Sequence, residues 1–157
     1  MDDRTDPKSS MRGRARYDRD LYGWALEQAA LLRAGRIAEA DALNIAEELD
    51  DVGNEQYDKL ESALRIVLLH LLKWDHQPQR RTRSWYASIK VQRNQAQRIL
   101  RKNPGLKPLI AEAVADAYSD ARVEAAAQTR LREKSFPETC PYAWDQILER
   151  PIDWPDE

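Results

Sequence analysis

Residue types that favour β-sheet or open loops are scarce in this chain. Its 157 residues include only 5 Gly, 1 Phe and 1 Cys, and no proline lies between positions 8 and 77. Such a composition favours helix strongly over sheet. The single cysteine, Cys140, cannot form a disulfide within the chain, which agrees with a reducing compartment.

Long hydrophobic runs are also missing. No stretch approaches the roughly 18 consecutive apolar residues that a membrane-spanning helix needs. Residues 1–16 carry charges where a secretory signal peptide would have its apolar core. The sequence therefore predicts a cytoplasmic protein with no membrane segment and with a flexible N-terminal tail over residues 1–16.

The chain lacks the short motifs that mark most enzyme classes. It has no Gly-rich phosphate loop, no pair of cysteines, no paired histidines at metal-ligand spacing and no Gly-x-Ser-x-Gly sequence. These absences favour a binding protein over an enzyme, and we expect no cofactor and no metal.

A formal net charge of −2 conceals a strong segregation of charge. The net charge is −8 over residues 17–62, +10 over residues 63–107 and −6 over residues 108–157. The basic block can form a surface for a polyanion such as nucleic acid. The simpler interpretation is that the acidic blocks neutralise it within the fold or across a dimer.

Hydrophobic periodicity predicts an all-α fold, a bundle of about four main helices in one domain over residues 17–157. The first helix is predicted to begin at the N-cap Asp18 and to end before Gly35, and its many apolar positions predict that most of it is buried. Three later helices are predicted, over about 84–102, 106–129 and 141–148.

The second helix is the longest. Apolar residues recur mostly in steps of three and four from Ile45 to Trp74, and this phase continues through Gly53. A lone glycine in a helix costs only about 1 kcal/mol relative to alanine, whereas a hairpin turn would normally reset the phase. We therefore predict one helix over about 37–75, on the order of 55 Å long, which Pro78 ends. A helix of this length protrudes from a domain of this size and so invites a partner.

Glu47 and Glu48 belong to the densest group of carboxylates, and paired carboxylates can bind metal. Neighbouring side chains on a helix point about 100° apart, so an exposed acidic face is the simpler interpretation. His70 lies beside the apolar stripe, where it can be a metal ligand, an acid/base group or a structural residue. On one continuous helix, Glu47 and His70 would lie about 35 Å apart, too far to bind the same ion within one chain.

Three arginines precede two aromatic residues in the basic block: Arg80, Arg81 and Arg83 before Trp85 and Tyr86. Cations beside aromatics can hold a phosphodiester backbone and stack on bases. Trp85 also belongs to the apolar stripe of the third helix, so the aromatic side chains are predicted to lie in the core. The pI of about 5.8 is low for a nucleic-acid-binding protein.

Cys140 precedes Pro141 at the predicted start of the short helix, a position that can lower the pKa of a thiol. No histidine is close in sequence, so a buried, unreactive cysteine is the simpler interpretation. The sequence by itself leaves both roles open.

Five short motifs follow one another along the chain: Tyr17-Asp18-Arg19-Asp20-Leu21-Tyr22-Gly23-Trp24-Ala25, Ala46-Glu47-Glu48-Leu49, His70-Leu71-Leu72-Lys73-Trp74, Gln77-Pro78 with Arg83-Ser84-Trp85, and Phe136-Pro137 with Cys140-Pro141-Tyr142. In this order they resemble the bacterial family called domain of unknown function twenty-nine. The resemblance extends from Tyr17 to about Trp144. It implies a compact all-helical bacterial protein and brings no established activity, so it assigns no catalytic residue.

The sequence predicts a small cytoplasmic bundle protein that acts as an interaction or regulatory module. We expect it to self-associate through the long helix, as a homodimer, or to bind another protein. Two alternatives stay open: nucleic-acid binding through residues 73–107 and, less favoured, a metal-dependent enzyme. The candidate functional surface comprises Glu47, Glu48, His70, Arg80, Arg81 and Arg83.

Overall fold

A computed structural model describes residues 16–154 of the chain. It is an all-α bundle, 80% helical, and the described residues contain no β-strand, as the periodicity predicted. The predicted tail, apart from its last residue, lies outside the described residues. No helix within this range is both long and apolar enough to cross a membrane. The helices are α1 (Leu21–Arg33), α2 (Ala42–His76), α3 (Arg83–Lys102), α4 (Ile110–Thr129) and α5 (Trp144–Glu149).

The chain divides into two compact units, which we call the N-terminal unit (residues 1–54) and the C-terminal unit (residues 55–157). The first contains α1 and the beginning of α2. The second contains the rest of α2 with α3, α4 and α5. A single domain over residues 17–157 stays a prediction.

Helix α1 begins after Asp20, not Asp18 as predicted. The Asp20 carboxylate accepts a hydrogen bond from the Gly23 N–H at 2.8 Å, three residues ahead, which is the geometry of an N-cap. The prediction that most of α1 is buried was wrong, because only Trp24 and Gln28 are buried. The wide apolar face of α1 extends beyond the narrow strip that its contacts cover.

Helix α2 has 35 residues and continues through Gly53, which confirms the prediction of one long helix. An ideal helix of this length measures about 52 Å. It starts at Ala42 rather than near position 37, because Ile37–Glu39 forms a separate 3₁₀ turn. Asp41, just before the helix, accepts hydrogen bonds from the Asn44 backbone N–H at 3.5 Å and from the Asn44 side-chain amide at 2.7 Å, which makes it the N-cap.

Helices α3 and α4 lie close to their predicted positions. The N-cap of α3 is Thr82, whose hydroxyl accepts a hydrogen bond from the Trp85 N–H at 3.2 Å, whereas Ser84 was the predicted cap. Helix α4 begins at Ile110 instead of near position 106, because the proline-containing segment Pro104–Leu109 forms a 3₁₀ helix. The order and approximate length of these elements agree with the prediction.

The short helix α5 begins at Trp144, three residues later than predicted from Pro141. Residues 141–143 are not helical, and the N–H of Ala143 donates to the side-chain oxygen of Gln146 at 2.9 Å, which satisfies a backbone group at the helix start. Cys140 therefore does not lie at a helix N-terminus.

The hydrophobic core belongs almost entirely to the C-terminal unit. Among the described residues, 23 hydrophobic side chains are buried, and Trp24 alone of them precedes residue 55. Nine of the others lie on α2 between Leu60 and Trp74. Helix α4 contributes a stripe of small buried side chains, which lets it approach its neighbours closely, as the sequence predicted: Ala113, Ala117, Ala121 and Ala125.

Candidate functional site

The apolar stripe of α2 is covered in one half of the helix and bare in the other. Leu60 and Val67 are fully buried, whereas Leu49 and Val52, which continue the same stripe towards the N-terminus, are 66% and 56% exposed. Every residue of the span 49–55 is exposed. The apolar side chains of these two turns are therefore largely open to solvent.

Exposed apolar side chains are concentrated in the N-terminal unit. Twelve large hydrophobic side chains are exposed among the described residues, and eight of them precede residue 55. The eight are Leu21, Tyr22, Leu26, Leu32, Ile37, Leu43, Leu49 and Val52.

Polar and aromatic contacts join the two helices of the N-terminal unit. The Tyr17 hydroxyl donates to the Glu48 carboxylate at 2.6 Å, and the Tyr17 ring packs edge-on against Trp24 at 4.8 Å. The indole N–H of Trp24 donates to Asp41 at 3.3 Å. The hydrogen bond to Glu48 raises the pKa of Tyr17 to about 12. Glu48 is therefore a structural acceptor, while Glu47 beside it is exposed.

The structure does not bring the candidate metal ligands together. Glu47, Glu48 and His70 all lie on the continuous helix α2, so the 23 residues from Glu47 to His70 span about 35 Å along its axis. Within residues 16–154, no group of three or more His, Cys, Asp or Glu side chains could hold a metal ion.

His70 makes a local structural hydrogen bond. Its Nδ1 lies 2.8 Å from the carbonyl oxygen of Ile66, one turn earlier on α2. Burial is the main reason that the pKa of His70 lies below its ordinary value, and the nearby Lys73 lowers it further. A neutral, half-buried imidazole that is fixed by its own helix fits a packing role.

Lys73 is a buried cation that the sequence did not single out. Its side chain is 7% exposed, its ammonium donates to the Gln128 side-chain oxygen at 2.8 Å, and it lies 4.3 Å from the centre of the Trp85 ring. Burial lowers the pKa of Lys73. Its position within the leucine-rich part of α2 is the only sequence signal for burial.

The three predicted arginines of the candidate surface differ in role. Arg81 donates from Nε to the carbonyl oxygen of Trp74 at 3.0 Å, and its guanidinium lies 4.7 Å from the centre of the Trp74 ring. It therefore closes the end of α2. Arg80 and Arg83 are exposed and form no ion pair with any described residue.

Helix α3 presents a row of six exposed side chains on its outer face, four of them basic. Positions that follow one another in steps of three and four share one face of a helix, and all members of this row are exposed. Arg83, Arg98 and Arg101 have no ion-pair partner among the described residues. We call this set the α3 row: Arg83, Ala87, Lys90, Asn94, Arg98 and Arg101.

The aromatic side chains beside the α3 row are committed to the core, as predicted. Trp85 and Tyr86 are half-buried and pack against the hydrophobic cluster of the C-terminal unit. Lys73 lies over the Trp85 ring and Lys90 lies 4.6 Å from the centre of the Tyr86 ring. Each ring is half-buried and has a cation over one face, which leaves little aromatic surface for stacking on a base.

Arg93, on the opposite face of α3, is buried and holds the C-terminal segment. Its guanidinium donates to the carbonyl oxygens of Ile147 and Arg150 at 2.7 Å each and to that of Gln146 at 3.1 Å. Sequence reasoning missed this role. Arg93 lies four residues after the buried Ile89, in phase with the apolar stripe, which is the signal that could have revealed it.

Cys140 is half-buried on the wall of a cavity of about 540 Å³ between α4 and the segment before α5. Burial raises the pKa of its thiol, so the thiol is protonated at neutral pH. The polar groups of the wall are largely satisfied within the chain: the Tyr118 hydroxyl donates to the Pro137 carbonyl oxygen at 2.6 Å, and Arg122 pairs with Glu133 at 3.0 Å. The unreactive interpretation of Cys140 agrees with this environment.

The later motifs of the sequence also hold the fold together. Asp75 accepts hydrogen bonds from the Tyr142 hydroxyl at 2.8 Å and from the guanidinium of Arg150, again at 2.8 Å. The His76 ring packs against Phe136 with centres 4.6 Å apart. These contacts join the end of α2 to the segment that contains α5.

The fold and its surfaces define an all-α protein with two exposed surfaces, one apolar and one basic. The model of the family described as "Domain of unknown function DUF29" matches residues 16–152. The chain belongs to this family, as its five motifs predicted. No curated protein and no solved structure matches the chain significantly.

Proposed function

We propose that the chain is a protein-interaction module that self-associates through its N-terminal unit. The observation that carries this proposal is the difference in burial between the units: eight of the twelve exposed large hydrophobic side chains precede residue 55, but only one of the 23 buried ones does. The apolar surface of this unit is available to a partner.

A second copy of the chain is the partner that fits best. A helical segment of this size buries too little apolar surface to be stable alone, and oligomerisation usually supplies what is missing. Cys140 lies in the other unit, so no disulfide supports the N-terminal one. A partner that stabilises the fold must be present whenever the protein is present. A second copy of the chain meets this condition. Two such helix pairs can bury their apolar faces against each other as a four-helix bundle.

The acidic side chains of α2 do not prevent this pairing. At about 100° per residue, Glu47, Asp50 and Asp51 lie about 100–160° around the helix from Leu49 and Val52. The apolar face can therefore meet its copy while these three carboxylates lie beside or behind it, and Glu48, nearer to the face, is held by the Tyr17 hydroxyl. Added salt should strengthen the association, because it screens the remaining repulsion between two acidic units and favours burial of apolar surface.

Light scattering during size-exclusion chromatography tests the proposal. The wild-type protein should have twice the chain mass of 18.2 kDa at about 100 μM. Val52→Glu should shift it to the mass of one chain, because it places a charge in the apolar contact. Val123→Glu is the matched control, since Val123 is 54% exposed on α4 against 56% for Val52. A monomeric wild-type protein at this concentration would contradict self-association, and equal effects of the two variants would contradict the assigned surface.

A further inference from the structure

We propose that the α3 row binds the phosphate backbone of double-stranded nucleic acid without reading its sequence. This inference does not depend on self-association, because α3 belongs to the C-terminal unit and the proposed contact between copies uses the N-terminal one. It rests on the charge, exposure and spacing of the row and on the state of the aromatic side chains beside it.

The charge of the row is of one sign and is not neutralised along the chain. No Asp or Glu occurs from His76 to Ala111, a stretch that contains the whole of α3. Arg83, Arg98 and Arg101 are exposed and have no ion-pair partner among the described residues. The local field therefore attracts anions, although the whole chain is slightly acidic.

The spacing of the row fits a regular polyanion. Arg83 and Arg101 are 18 residues apart, which is about 27 Å along a helix and about eight base pairs of a duplex. The opposite face of α3 packs into the core through Ile89, Ala96 and Ile99, so this packing fixes the helix that carries the row. A line of cations on a fixed helix matches the regular phosphates of a duplex better than a flexible chain.

The burial of the aromatic residues beside the row favours binding of a duplex over binding of a single strand. Proteins that bind single strands stack bases on open aromatic faces, and each stacked base adds substantially to affinity. Trp85 and Tyr86 are half-buried beneath Lys73 and Lys90, so the row can contact phosphates but has little aromatic surface for stacking bases. Side chains that contact only phosphates position a protein on nucleic acid without conferring sequence preference.

Fluorescence anisotropy with a labelled duplex of arbitrary sequence is the first test. We expect a Kd of about 1–100 μM at physiological salt, the range of sequence-independent binding. Contact of the three cations Arg83, Arg98 and Arg101 with phosphates predicts that affinity falls about 40-fold between about 50 and 200 mM salt. A second duplex of unrelated sequence should bind equally well. Affinity that does not change with salt, or that differs strongly between the two duplexes, would overturn the proposal.

Two triple variants with equal loss of charge assign the binding to the row. The variant Arg83→Gln/Arg98→Gln/Arg101→Gln should weaken duplex binding at least tenfold and flatten its salt dependence. The control Arg33→Gln/Arg132→Gln/Lys134→Gln removes three exposed cations elsewhere and should change affinity less than about threefold. Each single substitution in the row should lower the slope of the salt dependence by about 1, so the assignment does not depend on the triple variant. Equal effects of the two triple variants would show a general effect of net charge and would overturn the assignment.

Three further arms separate the duplex from other occupants. A single strand of the same length should bind more weakly than the duplex, and tighter binding would overturn the proposed backbone contact. Polyglutamate should compete less well than unlabelled duplex, and equal competition would assign the row to an acidic protein instead. Self-association that appears only at low salt and requires the α3 row would mean that the acidic part of a second copy occupies the row, which also overturns the proposal.

Discussion

The two halves of helix α2 have the same pattern of apolar residues and opposite environments. Leu71, in the second half, is fully buried beneath the rest of the C-terminal unit, whereas Leu49, in the first, is 66% exposed. Periodicity determines which side chains share a face of a helix, but burial depends on whether another element reaches that face. The helical pattern therefore predicted the element correctly but did not by itself identify which part of the apolar stripe is covered.

The same difference in burial means that the C-terminal unit has a hydrophobic core of its own, whereas the N-terminal unit has almost none. The second half of α2 lies in a core to which α3, α4 and the segment around α5 all contribute. The first half is joined to α1 chiefly through Tyr17, Trp24 and Asp41, with a single buried hydrophobic side chain. We expect substitutions in the two halves to have unequal effects on stability.

Matched leucine substitutions should show the largest difference. Leu71→Ala should lower the free energy of unfolding by about 2–5 kcal/mol, because it leaves a cavity in a closely packed core. Leu49→Ala, the same change on the same helix, should lower it by less than about 0.5 kcal/mol when measured on the monomer. Urea unfolding followed by circular dichroism measures both. Similar losses would mean that the two halves are equally covered.

Loss of the Arg93 hydrogen bonds to the C-terminal segment should give the next largest effect on the free energy of unfolding. Arg93→Met should cost about 2 kcal/mol, because three backbone carbonyl oxygens lose a charged donor. Arg98→Met, one turn and a residue further along α3 but exposed, is the control and should be close to neutral. Hydrogen exchange should locate the loss, with faster exchange of the amides of α5 in the Arg93 variant alone. Unchanged exchange there would contradict the anchoring role.

His70, in the buried half of α2, should make the stability of the fold depend on pH. Burial holds the pKa of His70 below its ordinary 6.5, so the unfolded chain binds this proton more tightly than the folded protein does. The contribution of neutral His70 to stability is therefore complete above pH 6.5 and is lost as the pH falls through the folded-state pKa. His70→Gln should flatten the loss of stability between about pH 7.5 and pH 5.5. An identical decline in both proteins would assign it to other groups.

The smallest expected effect is a gain in stability from a substitution in the exposed first half of α2. Gly53 lies inside α2, and a Cβ atom added there meets nothing within 4 Å. Gly53→Ala should raise the free energy of unfolding by about 0.5–1 kcal/mol, because alanine loses less entropy in a helix. Thermal unfolding of the two proteins measures the gain. A loss of stability would indicate that this part of the chain is not a continuous helix.

Much of the fold could be predicted from the sequence because helical signals are local. The phase of the apolar residues correctly predicted that α2 continues through Gly53, and Pro78 lies just beyond the end of this helix. Boundaries were less accurate where side-chain geometry decides between neighbouring caps, as with Asp20 over Asp18 and Thr82 over Ser84. The site residues were harder, because their roles depend on partners that are distant in sequence.

The charges of the basic block show this limit most clearly. The sequence suggested one shared role for Arg80, Arg81 and Arg83, but Arg81, although exposed, donates a hydrogen bond to Trp74 and lies over its ring. Arg93 belongs to the same block by composition, yet it is a buried anchor for residues more than 50 positions away. Charge counting could find the block but could not sort its members into exposed and structural cations.

The sequence by itself determined that the protein is all-α, that it contains one long helix and that its charges are segregated, because propensity, periodicity and composition act over a few residues. Only the tertiary structure decided that the apolar stripe of α2 is covered in one half alone, that Arg93 is a buried anchor, and that Arg83, Arg98 and Arg101 are exposed on one face of α3. These features depend on which helices pack against each other, and packing is set by contacts between residues that lie far apart along the chain.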